Sequence, residues 1–238
     1  MSLQQTGRSE ADAVVERYAR RTATSVYSFL RPEVIQSTQE WQRKMLRMFG
    51  TVCGYGADDL GKLKLLDLGC GYGGHLLDFM RFGFKPENLC GIELLADRVA
   101  LARTRLPASI EIHSGDASAV PIGLASQDIV FQSVVFSSLL DDEFQQRLAD
   151  HMWSWVRPGG GIMWYDFVYD NPNNKDVRGV PLRRVRALFP GAKITARRVT
   201  LAPPISRRAC SIHPAAYPLL NSIPWLRSHL LCWISKGN

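Results

Sequence analysis

Residues 65–74 read Leu-Leu-Asp-Leu-Gly-Cys-Gly-Tyr-Gly-Gly, an apolar run holding one carboxylate and then glycines at alternate positions, Gly69, Gly71 and Gly73. A strand that passes through such a turn into a helix bends sharply and leaves main-chain N–H groups uncovered where a Cβ would stand. The chemistry this serves is the cradling of a flat, polar ligand. Glu93 closes the next apolar run about 20 residues later, where a carboxylate accepts hydrogen bonds from both hydroxyls of a ribose. Nicotinamide and flavin enzymes share that pairing, so these residues alone leave the cofactor open.

Further details narrow the choice. The spacing is G-x-G-x-G rather than the G-x-G-x-x-G of pyrophosphate binders, and Asp67 precedes the first glycine, where it repels a pyrophosphate and suits an aminoacyl ammonium. Both favour S-adenosylmethionine (SAM). Gly115-Asp116-Ala117 follows a third apolar run and presents a carboxylate and an N–H that can read the amine and ring nitrogen of an adenine. Asp128-Ile129-Val130 opens a fourth run, and Trp155-Val156-Arg157-Pro158-Gly159-Gly160-Gly161 leads into a fifth.

With LLDLGCGYGG, GIE, GDA, QDIVFQSVVFSSLLDD and WVRPGG in this order, the chain resembles the class I SAM-dependent methyltransferase family from about Lys62 to Phe167. The resemblance implies an enzyme that uses SAM and releases S-adenosylhomocysteine. It implies that Asp67, Gly69, Gly71 and Gly73, with Cys70 among them, hold the methionyl part. Glu93 then takes the ribose, Asp116 and Ala117 the adenine with Leu94 on its face, and Gln132 and Ser133 the floor beside the transferable methyl.

One departure from the family concerns the acceptor. Many small-molecule members carry a His pair soon after the fourth strand, where this chain has Phe136-Ser137-Ser138. Positioning then carries most of the catalysis, with Asp166, past the fifth strand, and His213 as the candidate bases for a hydroxyl acceptor. A loop-anchoring role competes for Asp166, and an ordinary loop position for His213. The histidines at 75, 113, 151 and 229 read as structural, and the spacing of Asp166, Asp170 and Asp176 matches no metal-ligand motif, so no metal is expected. Tyr18 and Tyr27 are candidates to close over the cofactor.

The elements that must position these residues follow from the hydrophobic periods. Strands are expected at 63–68, 89–93, 110–113, 128–132, 161–167, 193–200 and 230–235, with helices at 75–82, 96–105, 142–156 and 182–189 and a short crossing near 117–121. Alternation of this kind predicts an α/β, three-layer αβα sandwich: a seven-stranded, mostly parallel sheet with an antiparallel last strand, plus N-terminal helices divided at Arg31-Pro32. The expected organisation is an N-terminal helical lid over 1–60 and a SAM-binding core over 61–238. Within the core, the proline-interrupted stretch 201–227 reads as an irregular or partly helical insertion that defines the acceptor.

The 238 residues suit one domain, and five scattered cysteines without a C-x-x-C pair suggest neither zinc nor disulfides. The N-terminus carries no apolar signal core, which makes a cytoplasmic location the expectation. A net charge of +7 suits nucleic acid, an anionic membrane face touched peripherally or a phosphate-bearing substrate, and equally a basic solvated surface. Nucleic acid is disfavoured, because the fourth strand lacks the N/D-P-P-Y/F motif. The expected acceptor is an oxygen or nitrogen of a small molecule, sugar or lipid-linked glycan; an RNA or other nucleic-acid methyltransferase and a non-catalytic SAM-binding partner protein are the alternatives. Oligomeric state is left open.

Overall fold

Apolar side chains alternate in pairing along the central strands, and that alternation builds two cores. In the computed structural model, which describes residues 9–20 and 27–237, β1 spans Leu65–Leu68, β2 Leu89–Glu93, β3 Glu111–Ser114, β4 Gln127–Ser133, β5 Val156–Phe167, β6 Lys193–Leu201 and β7 Arg227–Ser235. Leu65, Ile129, Phe131, Met163 and Trp233 enter one core, and their neighbours Leu66, Val130, Ile162, Trp164 and Ile234 enter the other. Side chains of successive strand residues point to opposite faces, so a sheet apolar at every position must be covered twice.

The strand order is β3-β2-β1-β4-β5-β7-β6. All neighbours run parallel except β7, which is antiparallel to both β5 and β6. The chain leaves β1 for β2 on one side and later returns to β4 on the other, and a crevice opens at the carboxyl ends of β1 and β4, where doubly wound sheets bind ligands.

Eight α-helices cover the sheet among the described residues: α1 Glu10–Ala19, α2 Pro32–Met48, α3 Gly74–Phe82, α4 Ala96–Arg105, α5 Asp142–Trp155, α6 Leu182–Leu188, α7 Pro203–Ile212 and α8 Ala216–Asn221. Their ends follow local chemistry. Ser9 caps α1 by accepting from the Asp12 N–H, Asp141 caps α5 by accepting from the Phe144 N–H, and Gly83 in the left-handed region stops α3. None of the helices is long and apolar enough to cross a membrane.

The structure differs from the sequence expectations at several boundaries. β5 starts at Val156 rather than 161, because the glycine run stays extended and pairs: Gly160 and Gly161 pass so close to the Asp128 carbonyl and to Trp233 that a Cβ would stand 2.5 Å from each. The stretch 201–227 is mostly helical. Pro203 and Pro204 initiate α7 instead of interrupting it, since a first-turn residue has no intrahelical N–H bond to lose. No helix forms near 117–121, where turns connect β3 to β4. The expected lid divides: α1 lies over the crevice, whereas Trp41, Met45 and Met48 of α2 are buried within a core layer.

Candidate cofactor and acceptor site

The crevice is a cavity of about 200 Å³, walled by the ends of β1, β2 and β4, the turn after β3 and the inner face of α1. Gly69, Glu93, Leu94, Asp116, Ala117, Ser133 and Tyr18, seven of the residues expected from sequence, line it. The glycines divide the work. Gly69 has φ +71° and a Cβ there would stand 2.6 Å from Val135 Cγ2, so this glycine lets the β1 turn pass under the β4 turn. Gly73, at φ +81°, lies equally close to Leu106. Gly71, at φ +56°, has no protein atom within 4 Å of its would-be Cβ, which leaves that side of the turn uncovered.

Gly69→Ala is therefore expected to lower stability by about 2–4 kcal/mol, the sum of a left-handed backbone penalty and overpacking. Gly71→Ala should lose only the backbone part, about 1–2 kcal/mol. Urea unfolding of the two variants checks this, and equal losses would contradict the assignment.

Glu93 is 5% exposed and joins two turns, accepting from the Gly71 N–H (2.8 Å) on one oxygen and from the Leu95 N–H (2.9 Å) on the other. Each oxygen keeps a lone pair for a further donor. Asp116 accepts from the Ser118 N–H (2.9 Å), which fixes the turn it shares with Ala117. Asp67 differs from both: it is fully buried and neither of its oxygens has a hydrogen-bond partner. Burial, with the Glu93 charge added, holds its carboxyl well above the usual carboxylate range.

The floor of the crevice is strained. Val134 has φ +59°, a costly conformation for a β-branched residue, and its N–H donates to the Tyr165 carbonyl (2.8 Å). Two buried side chains hold this turn. Gln132 accepts from the Val135 N–H (3.1 Å), and Asp166 accepts from the N–H groups of Ser137 (3.1 Å) and Phe167 (2.8 Å). Neither lines the cavity. Gln132 and Asp166 instead fix the loop that carries Ser133, Val135 and Ser138. Burial nevertheless raises Asp166 to about 6.

Other expected residues also fall elsewhere. Cys70 Sγ is buried against Gly91, and burial pushes its thiol upward, so its side chain belongs to the core. His213 is exposed beyond α7 and accepts from the Ala215 N–H (3.1 Å), which leaves it outside the cavity as well. Tyr27 is 81% exposed and away from the cavity wall. Among the described residues no group of three or more His, Cys, Asp or Glu is placed to hold a metal ion.

Several wall residues were not anticipated. Arg98 stands over the ring of Tyr18 (4.5 Å) and lines the cavity. Its only sequence signal is a cation in the first turn of α4, where the helix dipole disfavours one. Ala11 and Val14 of α1 and Phe144 and Leu148 of α5 supply apolar wall. Helix α1 is locked down by Arg17, 8% exposed, which donates to the Ser138 carbonyl (3.0 Å) and pairs with Glu10. Glu10 in turn accepts from the Leu140 N–H (2.7 Å).

Residues 65–160 match the family described as Methyltransferase domain, the segment that holds every β-strand wall of this crevice. Over those residues the chain carries a methyltransferase domain of this family. Over 155 residues the chain is 30% identical to trans-aconitate 2-methyltransferase of Afipia carboxidovorans, covering 65% of this chain and 54% of that protein. It is 26% identical over 112 residues to the tRNA N(3)-methylcytidine methyltransferase Mettl2 of Drosophila melanogaster, covering 44% and 34%. The chain thus spans about half or less of the curated relatives it matches. A crystal structure of a SAM-dependent methyltransferase from Mesorhizobium loti shares the fold at a TM-score of 0.59 and 17% identity, covering 81% of this chain and 96% of that one.

The residues of the crevice fit SAM, the cofactor of the methyltransferases that the chain resembles. Orphaned acceptors on buried Asp67 match an ammonium donor, the spare lone pairs of Glu93 match ribose hydroxyls, and the uncovered side of Gly71 leaves room against the main chain.

Proposed function

We propose that this chain transfers a methyl group from SAM to an oxygen or nitrogen of a small-molecule, sugar or lipid-linked glycan acceptor. One observation carries the reading: a fully buried carboxylate, Asp67, with both oxygens unpartnered, directly before the cavity-wall residues Leu68 and Gly69 on the strand end that faces Glu93 and Asp116 across the crevice. SAM, when bound, supplies an activated methyl on a sulfonium with a neutral leaving group.

The chain's own residues then bind and orient. Asp67 takes the ammonium, Glu93 the ribose, and Asp116 with the Ala117 N–H the adenine, against Leu94. Ser133 and the strained Val134 turn, braced by Gln132 and Asp166, form a rigid floor that sets the approach of the acceptor. Helix α1, with Tyr18, covers the cavity and excludes water. Neither Asp166 nor His213 reaches the cavity, so the proposed catalysis rests on alignment without a general base. The small-acceptor reading accords with the trans-aconitate enzyme among the relatives.

A thermal-shift titration tests the cofactor. SAM and S-adenosylhomocysteine at a hundredfold excess over Kd are expected to add about 2.7 kcal/mol of stability, and NAD none. Stabilisation by NAD and not by SAM would sink the proposal. Labelled-methyl transfer into fractionated cell extract then tests the acceptor: label in RNA rather than in small molecules or glycans would replace it.

A further inference from the structure

Far from the cofactor crevice, a second cavity of about 240 Å³ lies between α2 and the sheet edge formed by β6 and β7. β6 is three strands from β4 in the sheet order, which at ordinary strand spacing is about 14 Å from the methyl-transfer floor. Its wall carries five cations, Lys44, Arg47, Arg197, Arg198 and Arg227, and no carboxylate. None of the five has an ion-pair partner among the described residues.

Two of these cations are built into place. Arg198 on β6 donates from Nη2 to the Arg227 carbonyl (2.5 Å), and Arg227 at the start of β7 donates from Nη1 to the Arg198 carbonyl (3.1 Å). The Arg227 guanidinium is further fixed by the Asn221 carbonyl (2.8 Å), and that of Arg198 by the Tyr169 hydroxyl (2.7 Å) and ring. The two are not register partners, since Arg198 stands opposite Leu230 and Arg227 opposite Leu201, but each guanidinium is held on the other's main chain. Arg198 Nε is buried with no partner. The positions of both guanidinium groups are therefore already set before any ligand arrives. A pocket of fixed, unneutralised donors is what a multiply charged oxyanion requires, because bidentate guanidinium recognition then costs little ordering.

We propose that this cavity is a binding site for a phosphate-class oxyanion, held by Arg198 and Arg227 and completed by Arg47, Arg197 and Lys44. It is a site separate from the cofactor crevice, and it takes either a soluble phosphorylated molecule or a phosphomonoester lipid headgroup.

The test uses the full chain at low salt. Equilibrium dialysis against labelled inorganic pyrophosphate should show saturable binding. In Arg47→Gln/Arg197→Gln, a double substitution of exposed side chains that leaves the clamped pair intact, that binding should weaken by about a hundredfold while SAM affinity stays unchanged. Sedimentation with phosphatidylcholine vesicles, with and without phosphatidic acid, separates the sources. Capture that needs phosphatidic acid and is lost in the variant assigns a headgroup, whereas pyrophosphate binding without vesicle capture assigns a soluble molecule. Absence of saturable pyrophosphate binding, or equal binding by wild type and variant, overturns the site. So does arginine-dependent binding of an oligoribonucleotide without pyrophosphate binding, which would mark an extended nucleic-acid face instead.

Discussion

Glu93→Ala should weaken SAM binding by a hundredfold or more while the chain stays folded. A hydrogen bond to a charged acceptor contributes about 1.5–3 kcal/mol, and loss of two ribose hydroxyl bonds therefore removes at least about 3 kcal/mol, a factor of about a hundred. Glu93 also pins the Gly71 and Leu95 N–H groups, so its removal loosens the cradle as well as the ribose contact. Glu93→Gln keeps the shape with one acceptor and should fall between the two. Isothermal titration gives the affinities, and circular dichroism with urea unfolding reports the fold. Wild-type affinity in Glu93→Ala would remove the ribose assignment, and with it the orientation of the cofactor proposed for the crevice.

What the sequence revealed of this site divides along a physical line. Gly69, Gly71 and Gly73 were legible because a positive φ, joined at Gly69 and Gly73 by a close approach, leaves a residue-type signature. Glu93 ends β2 and Asp116 lies in the turn just past β3, so both were legible from the strand ends, where side chains and turns meet the crevice. The same reasoning did not separate Gln132, Asp166 and Cys70, whose side chains are buried off the cavity wall, from the residues that line it. A polar residue near a strand end faces either the cavity or the turn beside it, and one residue of rotation separates the two, a distinction that spacing alone does not carry. Arg98, Arg17 and Glu10 were invisible for another reason. Their role depends on which helix lies over which loop, and the contacts join residues as distant in sequence as Glu10 and Leu140. The fold was read more fully than the site, since alternation of strand and helix is a local pattern. The errors there came from Gly and Pro: the 156–161 run remained extended, and Pro203-Pro204 began a helix.

His229→Phe should change the pH dependence of stability on the acid side. The imidazole is 5% exposed on β7, stacked on Tyr165 at 4.8 Å and tilted against Phe167 at 4.0 Å. Burial lowers it from an ordinary 6.5 to about 3. Between those values the unfolded chain binds a proton that the folded chain refuses, so stability is present above pH 6.5 and is lost as pH falls toward 3. Asp166 acts in the opposite sense. Raised from 3.8 to about 6, it keeps its proton in the fold after the unfolded chain has released it, and stability is lost as pH rises through that interval. His75, lowered to about 4, adds to the first slope and Asp67 to the second. Across pH 4–6 the contributions oppose one another, and the wild-type chain should show little net dependence there. Removing one side of that balance exposes it: relative to wild type, His229→Phe should gain about 3 kcal/mol on going from pH 7 to pH 4.5, whatever its difference at pH 7. Asp166→Asn should tilt the other way, gaining toward neutral pH because an amide has no proton to retain. Urea unfolding at the two pH values reads both slopes. A difference between His229→Phe and wild type that stays constant would mean that the ring between Tyr165 and Phe167 reaches water and takes up its proton in the folded state.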